Sequence, residues 1–258
     1  MLELGIRLSA VGELVKPGNV IADIGCDHGY LSIALVQNHK AKRMIACDIN
    51  KGPLAAAEKN IRTCNLSEQI ELRLSDGFEK VQVGECDGAI LAGMGGPLGL
   101  RILYDGKSVM KGWKQIILQL QSKIPLVRFV LKEWGFVTEE ENMVMEDGKF
   151  YPMMRLSLPK NNDFFECDIP DFEAYLKDAE ERLQKQSSDE VCECTYGKSL
   201  LENHSPVLYA FLEKEEQRLL SIVENFDPDE NTEPERALAR VNAEMDILML
   251  AKWKLQGA

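Results

Sequence analysis

The stretch Val20-Ile-Ala-Asp-Ile-Gly-Cys-Asp-His-Gly-Tyr-Leu-Ser-Ile-Ala-Leu35 constrains the fold of this chain more than any other. An apolar run of strand length breaks at Gly25, turns through Gly29 and resumes as a helix, the beginning of a βα unit. A second strand-like run, Arg43-Met-Ile-Ala-Cys-Asp48, follows one helix later and ends on an acid. Parallel strands joined through a helix bring their carboxyl ends to the same edge of a sheet. At that edge a glycine turn lets backbone N–H groups approach a bound molecule closely. An acid there can accept hydrogen bonds from both hydroxyls of a ribose. Together the two runs outline a nucleoside site.

The residues also bear on the charge of the ligand. A pyrophosphate needs the tight pattern Gly-x-Gly-x-x-Gly, whereas here Gly25 and Gly29 flank Asp27. A carboxylate would repel a pyrophosphate, but Asp23 and Asp27 suit S-adenosylmethionine, which carries an ammonium and a sulfonium. A dinucleotide, or an ordinary βα turn with no ligand, are the alternatives on this region alone. Asp48 stands where the ribose should lie, although a helix cap would also explain it. Asp76-Gly77 closes a third strand, where the acid can accept from an adenine amino group, or the pair can simply make a turn. His28 is expected to contact the cofactor as a hydrogen-bonding wall, and Tyr30 to line its methionine end or simply pack. The loop Ala92-Gly-Met-Gly-Gly96 follows a fourth strand, where methyl donor and acceptor should meet. Its glycines expose backbone to a flat ring, and Met94 offers a soft face for adenine.

The seven cysteines are scattered and form no Cys-x-x-Cys pair, which points to reduced thiols in a cytoplasm and to no metal site. Cys26 and Cys47 read as packing residues. No apolar run reaches the roughly 18 residues that a membrane span requires, and Met1–Arg7 lacks the pattern of a signal peptide. The net charge of −12 is unevenly spread: residues 1–160 sum to +1 and residues 161–258 to −13. Between 101 and 132 stand seven basic residues, Lys111 and Lys114 among them, against the single acid Asp105. Such a cluster can attract phosphates whatever the total charge, because screening confines fields to roughly 10 Å. A solvated helix surface is the plainer account.

Apolar spacing predicts a helix within 1–19, then strands near 20–25, 43–48, 70–74, 88–92 and 115–121. A helix over 125–134 leads to a strand near 140–146, and Asp147-Gly148 turns the chain into a last strand at 151–157. This is a doubly wound α/β sheet with antiparallel strands at one edge. Pro159-Lys-Asn-Asn-Asp163 is the expected boundary between a domain of residues 1–160 and a helical one of 161–258. In the latter, helices are predicted near 171–186, 205–226 and 233–256. Leu208, Leu212, Leu219, Ile222 and Phe226 on one helix, and Leu238, Val241, Met245 and Leu248 on the other, suggest a coiled-coil hairpin. Its loop is expected at 225–231.

On these residues the chain resembles the bacterial tRNA adenine-N1-methyltransferases that modify the adenine at position 22. The likeness rests on Asp23–Tyr30, Lys51-Gly-Pro53, Ala92–Gly96, Leu118-Gln119, Gly148-Lys-Phe-Tyr151 and the helical hairpin. It implies a Rossmann-like class I methyltransferase domain, S-adenosylmethionine as cofactor and tRNA as partner. On the cofactor side it would place Asp23, Gly25, Asp27, His28, Gly29, Tyr30, Asp48, Ile49, Asp76, Gly77, Ala92, Gly93 and Met94. On the substrate side it would place Arg7, Gly95, Gly96, Gln119, Gln121 and Tyr151, with Lys111 and Lys114 for the RNA. No catalytic side chain is fixed, with Asp27, Gly93 and Met94 as candidates. One departure is Gln119-Leu-Gln121, where relatives often have Gln-Pro-Asn. A small-molecule methyltransferase and a non-catalytic cofactor-binding module are the competing functions. The oligomeric state is left open, a monomer being one option.

Overall fold

A computed structural model describes residues 4–227 and 233–257. Seven strands form one sheet: β1 (Gly18–Ile24), β2 (Ala41–Asp48), β3 (Ile70–Leu74), β4 (Gly88–Met94), β5 (Gln115–Leu120), β6 (Val137–Glu146) and β7 (Lys149–Ser157). Their order is β3-β2-β1-β4-β5-β7-β6. The first five are parallel, and β7 enters antiparallel between β5 and β6. The Asp147-Gly148 turn has positive φ at both residues, 49° and 72°, which matches the twist of the hairpin it closes. Every residue of β5 is buried, as expected for a strand covered on both faces. The order reverses between β1 and β4, so a crevice is expected outside their carboxyl ends.

The strand at 88 runs to Met94 rather than stopping at Ala92. Gly93, at φ 84°, sits at a register shift between Ala92 and Met94, a bulge that lets pairing with β5 resume. The helices α1 (Ile6–Leu14), α2 (Tyr30–Gln37) and α3 (Lys51–Thr63) bury Val11, Leu31 and Ile61 with Ile21, Met44, Ile90 and Ile117 of the sheet. Two more helices, α4 (Gly96–Asp105) and α5 (Ile124–Glu133), follow β4 and β5. Apolar spacing does not mark α4, because its opening Gly95-Gly96-Pro97 looks like a loop. The proline falls in the first turn, where its missing N–H costs nothing.

The chain divides into compact units at 179/180 rather than at 160/161. Residues beyond Pro159 stay with the first unit through aromatic packing. Phe164 of α6 (Asp163–Glu166) lies 5.0 Å from Trp134, and Phe172 and Tyr175 of α7 (Phe172–Gln184) lie 6.3 Å from it, all centroid to centroid. The second unit adds α8 (Ser188–Tyr196) and α9 (Lys198–Glu202), which apolar spacing had not revealed, to α10 (Pro206–Glu224) and α11 (Pro234–Leu255). The last two run antiparallel, with Lys252 bound to Glu213 (2.7 Å) and Glu216 (2.5 Å), and Arg218 to Glu244 (3.1 Å). Of the residues of the expected seam, Leu208, Leu212, Leu219 and Leu248 are buried, Phe226, Leu238, Val241 and Met245 are half-buried and Ile222 is exposed. Part of the apolar side of α11 faces α8 and α9 instead. The expected loop at 225–231 lies partly outside the described residues. Among the described residues, no helix is long and apolar enough to cross a membrane.

Candidate active site

The carboxyl ends of β1, β2 and β4 meet around Gly25. Its φ of 76° is open to glycine, and the N–H groups of Gly25 and Cys26 both donate to the Cys47 carbonyl, at 2.9 and 3.0 Å. The turn of β1 is thereby tied to β2. Asp27 (φ 51°) and Gly29 (φ 73°) complete it, and Gly29 is the N-cap of α2. A Cβ on Gly29 would stand 3.1 Å from that of Ala57, so close packing on α3 also selects glycine there.

Two carboxylates lie beneath this turn. Asp48 is 8% exposed and accepts from the backbone N–H of Asp27 (3.2 Å) and of Asn50 (2.8 Å). Each oxygen keeps a lone pair for a further donor. Asp23 is 3% exposed, and its Oδ2 accepts from the Ser32 hydroxyl at 2.6 Å. Burial pushes the Asp23 carboxyl up to about 6, the Ser32 hydrogen bond pulls it down and the nearby Asp48 charge raises it. Burial likewise pushes the thiols of Cys26 and Cys47 up, which keeps them protonated and fits packing residues.

The rest of the rim follows from the strand ends. His28 and Tyr30 are exposed and stack with centroids 5.6 Å apart, and the His28 ring lies 3.6 Å from Asp27. Ile49 is 60% exposed just beyond Asp48. Ser75 donates its N–H to the Asp48 carbonyl (3.0 Å), which brings Asp76 and Gly77 to the same edge. The Met94 methyl lies 3.5 Å from where a Cβ on Gly25 would be, so β4 closes the crevice from the other side.

A second group gathers at the end of β4 and β5. The Arg7 Nη1 donates to the Gln119 Oε1 at 2.7 Å, and the guanidinium lies over the Tyr151 ring, 5.7 Å from its centroid. Gly93 borders the same guanidinium. Gln119 is fully buried and pairs with Ala92 in register. Gln121 joins through its backbone, donating to the Met94 carbonyl at 2.9 Å, while Gly96 donates to Ser122 Oγ at 3.1 Å. A Cβ on Gly96 would collide with the Ser122 carbonyl, so its smallness serves packing.

Lys111 and Lys114 stand apart from all of these. They precede β5, and Lys114 pairs with Asp87 (3.7 Å) at the amino ends of the strands. Six residues of β5 separate them from Gln121, about 20 Å at ~3.3 Å per residue. The basic run around them does not form one face either. Arg101 pairs with Glu173 (3.7 Å), Arg128 with the buried Glu141 (2.7 Å), and Lys107 donates to the Cys167 carbonyl. A window that crosses the sheet from end to end scatters its charges. Two further contributors, Ser32 and Ser122, belong to no motif of the sequence. Ser32 leaves a trace, as the one hydroxyl in the apolar run Leu31-Ser-Ile-Ala-Leu35.

Chemically, the first group can accept from vicinal hydroxyls, attract a cation and repel a pyrophosphate, which fits a cationic nucleoside. The second adds a cation, a carboxamide and an aromatic face on the far side of β4. Among the described residues, no cluster of three or more His, Cys, Asp or Glu is placed to hold a metal ion.

A family profile described as "Methyltransferase domain" matches residues 4–154. The tRNA (adenine(22)-N(1))-methyltransferase of Bacillus subtilis is 38% identical over 153 residues, 59% of this chain and 64% of that protein. The crystal structure of the B. subtilis m1A22 tRNA methyltransferase TrmK superposes with a TM-score of 0.76 at 28% identity, covering 97% of this chain and 99% of that one. Mycoplasma capricolum TrmK, solved with S-adenosylhomocysteine, gives 0.72 at 26% identity over 96% and 99%. The chain belongs to the methyltransferase-domain family and is TrmK-like along its length.

Proposed function

We propose that this protein transfers a methyl group from S-adenosylmethionine to ring nitrogen N1 of an adenine in tRNA, the adenine at position 22. The observation that carries this reading is the pair of buried acids, Asp23 and Asp48, at adjoining strand ends in a chain that TrmK structures match almost throughout. When bound, S-adenosylmethionine supplies an electrophilic methyl group. Asp48 takes the ribose hydroxyls, and Asp76 with Gly77 and Ile49 frame the adenine. Asp23 and Asp27, with the backbone of Gly25 and Gly29, face the cationic amino-acid end beside His28 and Tyr30. Ala92, Gly93 and Met94 form the wall between donor and acceptor.

On the acceptor side, N1 of adenine has an in-plane lone pair, so no residue need remove a proton before attack. The task of the chain is alignment and exclusion of water. The glycines at 93, 95 and 96 let a flat ring come close to backbone. Methylation leaves the ring cationic, and the Gly93 carbonyl or the Asp27 carboxylate would accept from its amino group and favour that charge. The base must leave its stack to reach this pocket, with Arg7, Gln119, Gln121 and Tyr151 around it. The C-terminal helices hold the body of the tRNA by shape. The site of action is the cytoplasm.

Bulk tRNA incubated with the protein and cofactor, then digested and analysed by mass spectrometry, should gain 1-methyladenosine. Methylation of small acceptors with none of RNA would end this reading. Phosphate contacts should come from cations at the carboxyl ends of the strands, where Lys51, Lys123 and Lys149 are exposed. Reversing Lys123 and Lys149 to glutamate should weaken tRNA binding about tenfold and flatten its salt dependence. The same change at Lys111 and Lys114 should do much less, and fluorescence anisotropy at two salt concentrations separates the pairs.

A further inference from the structure

We propose that Arg7 is an anion-binding residue of the site, positioned by Gln119, whose counter-charge arrives with a ligand as an oxyanion. The proposal rests on the cofactor and RNA reading above. In the first unit, Arg43, Arg62, Arg73, Arg101, Arg128 and Arg155 each reach a carboxylate. Arg7 makes no such pair among the described residues. Its guanidinium meets the neutral Gln119 amide at 2.7 Å, the Tyr151 ring and Gly93. The nearby Glu146 accepts from the Arg7 backbone N–H, at 3.3 Å.

Glu146 caps the first turn of α1 through the Arg7 backbone N–H and so answers the helix dipole, but among the described residues no carboxylate meets the guanidinium itself. Gln119 is fully buried and cannot neutralise that charge, although a glutamate of the same shape could. Holding Nη1 with an uncharged acceptor fixes the guanidinium plane and leaves its other N–H groups for a bidentate partner. The adenine ring is a poor candidate, since it turns cationic during the reaction. Two oxyanions have the right chemistry, the carboxylate of the cofactor's amino-acid tail and a phosphodiester of the RNA.

Binding measurements on Arg7→Gln and Gln119→Glu separate them. The second variant preserves shape and hydrogen bond but supplies an internal counter-charge, so it tests the site without deleting the guanidinium. The probes are S-adenosylhomocysteine, 5′-methylthioadenosine (the same nucleoside without the amino-acid tail) and transcribed tRNA. A loss of about 10- to 100-fold on S-adenosylhomocysteine alone in both variants assigns the anion as the carboxylate. The same loss on tRNA, with both nucleosides unaffected, assigns it as a phosphodiester. Wild-type affinities for all three probes in both variants would overturn the proposal. So would equal losses on the two nucleosides, which mark a merely structural role. If the unaltered protein holds neither nucleoside, the reading beneath the proposal fails and takes the proposal with it.

Discussion

Replacing Asp48 with alanine should lower affinity for S-adenosylhomocysteine by about 100-fold or more, read by calorimetry. The estimate follows from two charge-assisted hydrogen bonds to ribose hydroxyls, each contributing roughly 1.5–3 kcal/mol when the acceptor is ionised. Asp48 is suited to that task because Asp27 and Asn50 already hold its two oxygens with backbone N–H groups, which fixes the carboxylate before ligand arrives. Asp48→Asn should fall between, since an amide keeps one acceptor and turns the other into a donor. Alanine also leaves two N–H groups without their partner, so a melting curve must accompany the titration. An affinity within threefold of the unaltered protein, in a variant that still folds, would take Asp48 out of the ribose role.

How much of this site could be read from the residues depended on whether their partners were local. The ends of β1, β2 and β3 carry their own punctuation: an apolar run, then glycine or aspartate, then helical spacing. Local physics of that kind places Gly25, Asp48 and Asp76 on one edge without any tertiary information. The Arg7–Gln119 contact spans 112 positions and leaves no periodic trace, so only a resemblance could bring those residues together. The bulge at Gly93 was hidden because a glycine run reads as a turn whether or not pairing resumes beyond it. Lys111 and Lys114 show the converse problem. They neighbour site residues in sequence, but a strand six residues long carries the chain to the opposite edge of the sheet. The unit boundary shifted because aromatic packing, from Trp134 to Phe172 and Tyr175, outweighs the polar composition of 159–163.

Asp23 should make the protein trade stability for binding, and pH should expose the trade. Its carboxyl titrates near 6 against an ordinary 3.8, first because it is buried and further because Asp48 is near, with Ser32 pulling the other way. The folded protein therefore holds this proton more tightly than the unfolded chain. Stability falls as pH rises from about 4 to about 6, and the whole penalty is present above that window. A shift of this size corresponds to on the order of 3 kcal/mol. Asp23→Asn retains an acceptor for the Ser32 hydroxyl and removes the charge, so its urea midpoint should exceed that of the parent at pH 8. The gain should shrink at pH 5 and vanish towards pH 4. Cofactor binding should run the other way, because a cationic ligand favours the ionised acid. Affinity for S-adenosylmethionine should fall up to tenfold per pH unit below about 6 in the parent, and stay low and flat in Asp23→Asn. Repeating the titration in a His28→Gln background separates Asp23 from the imidazole beside the turn. In Asp48→Ala the repulsion is gone, so the window should move to lower pH, which ties the two acids to one electrostatic cause. An Asp23→Asn protein no more stable than its parent at pH 8, with parent affinity level from pH 5 to 8, would show that no buried charge is held there for the ligand.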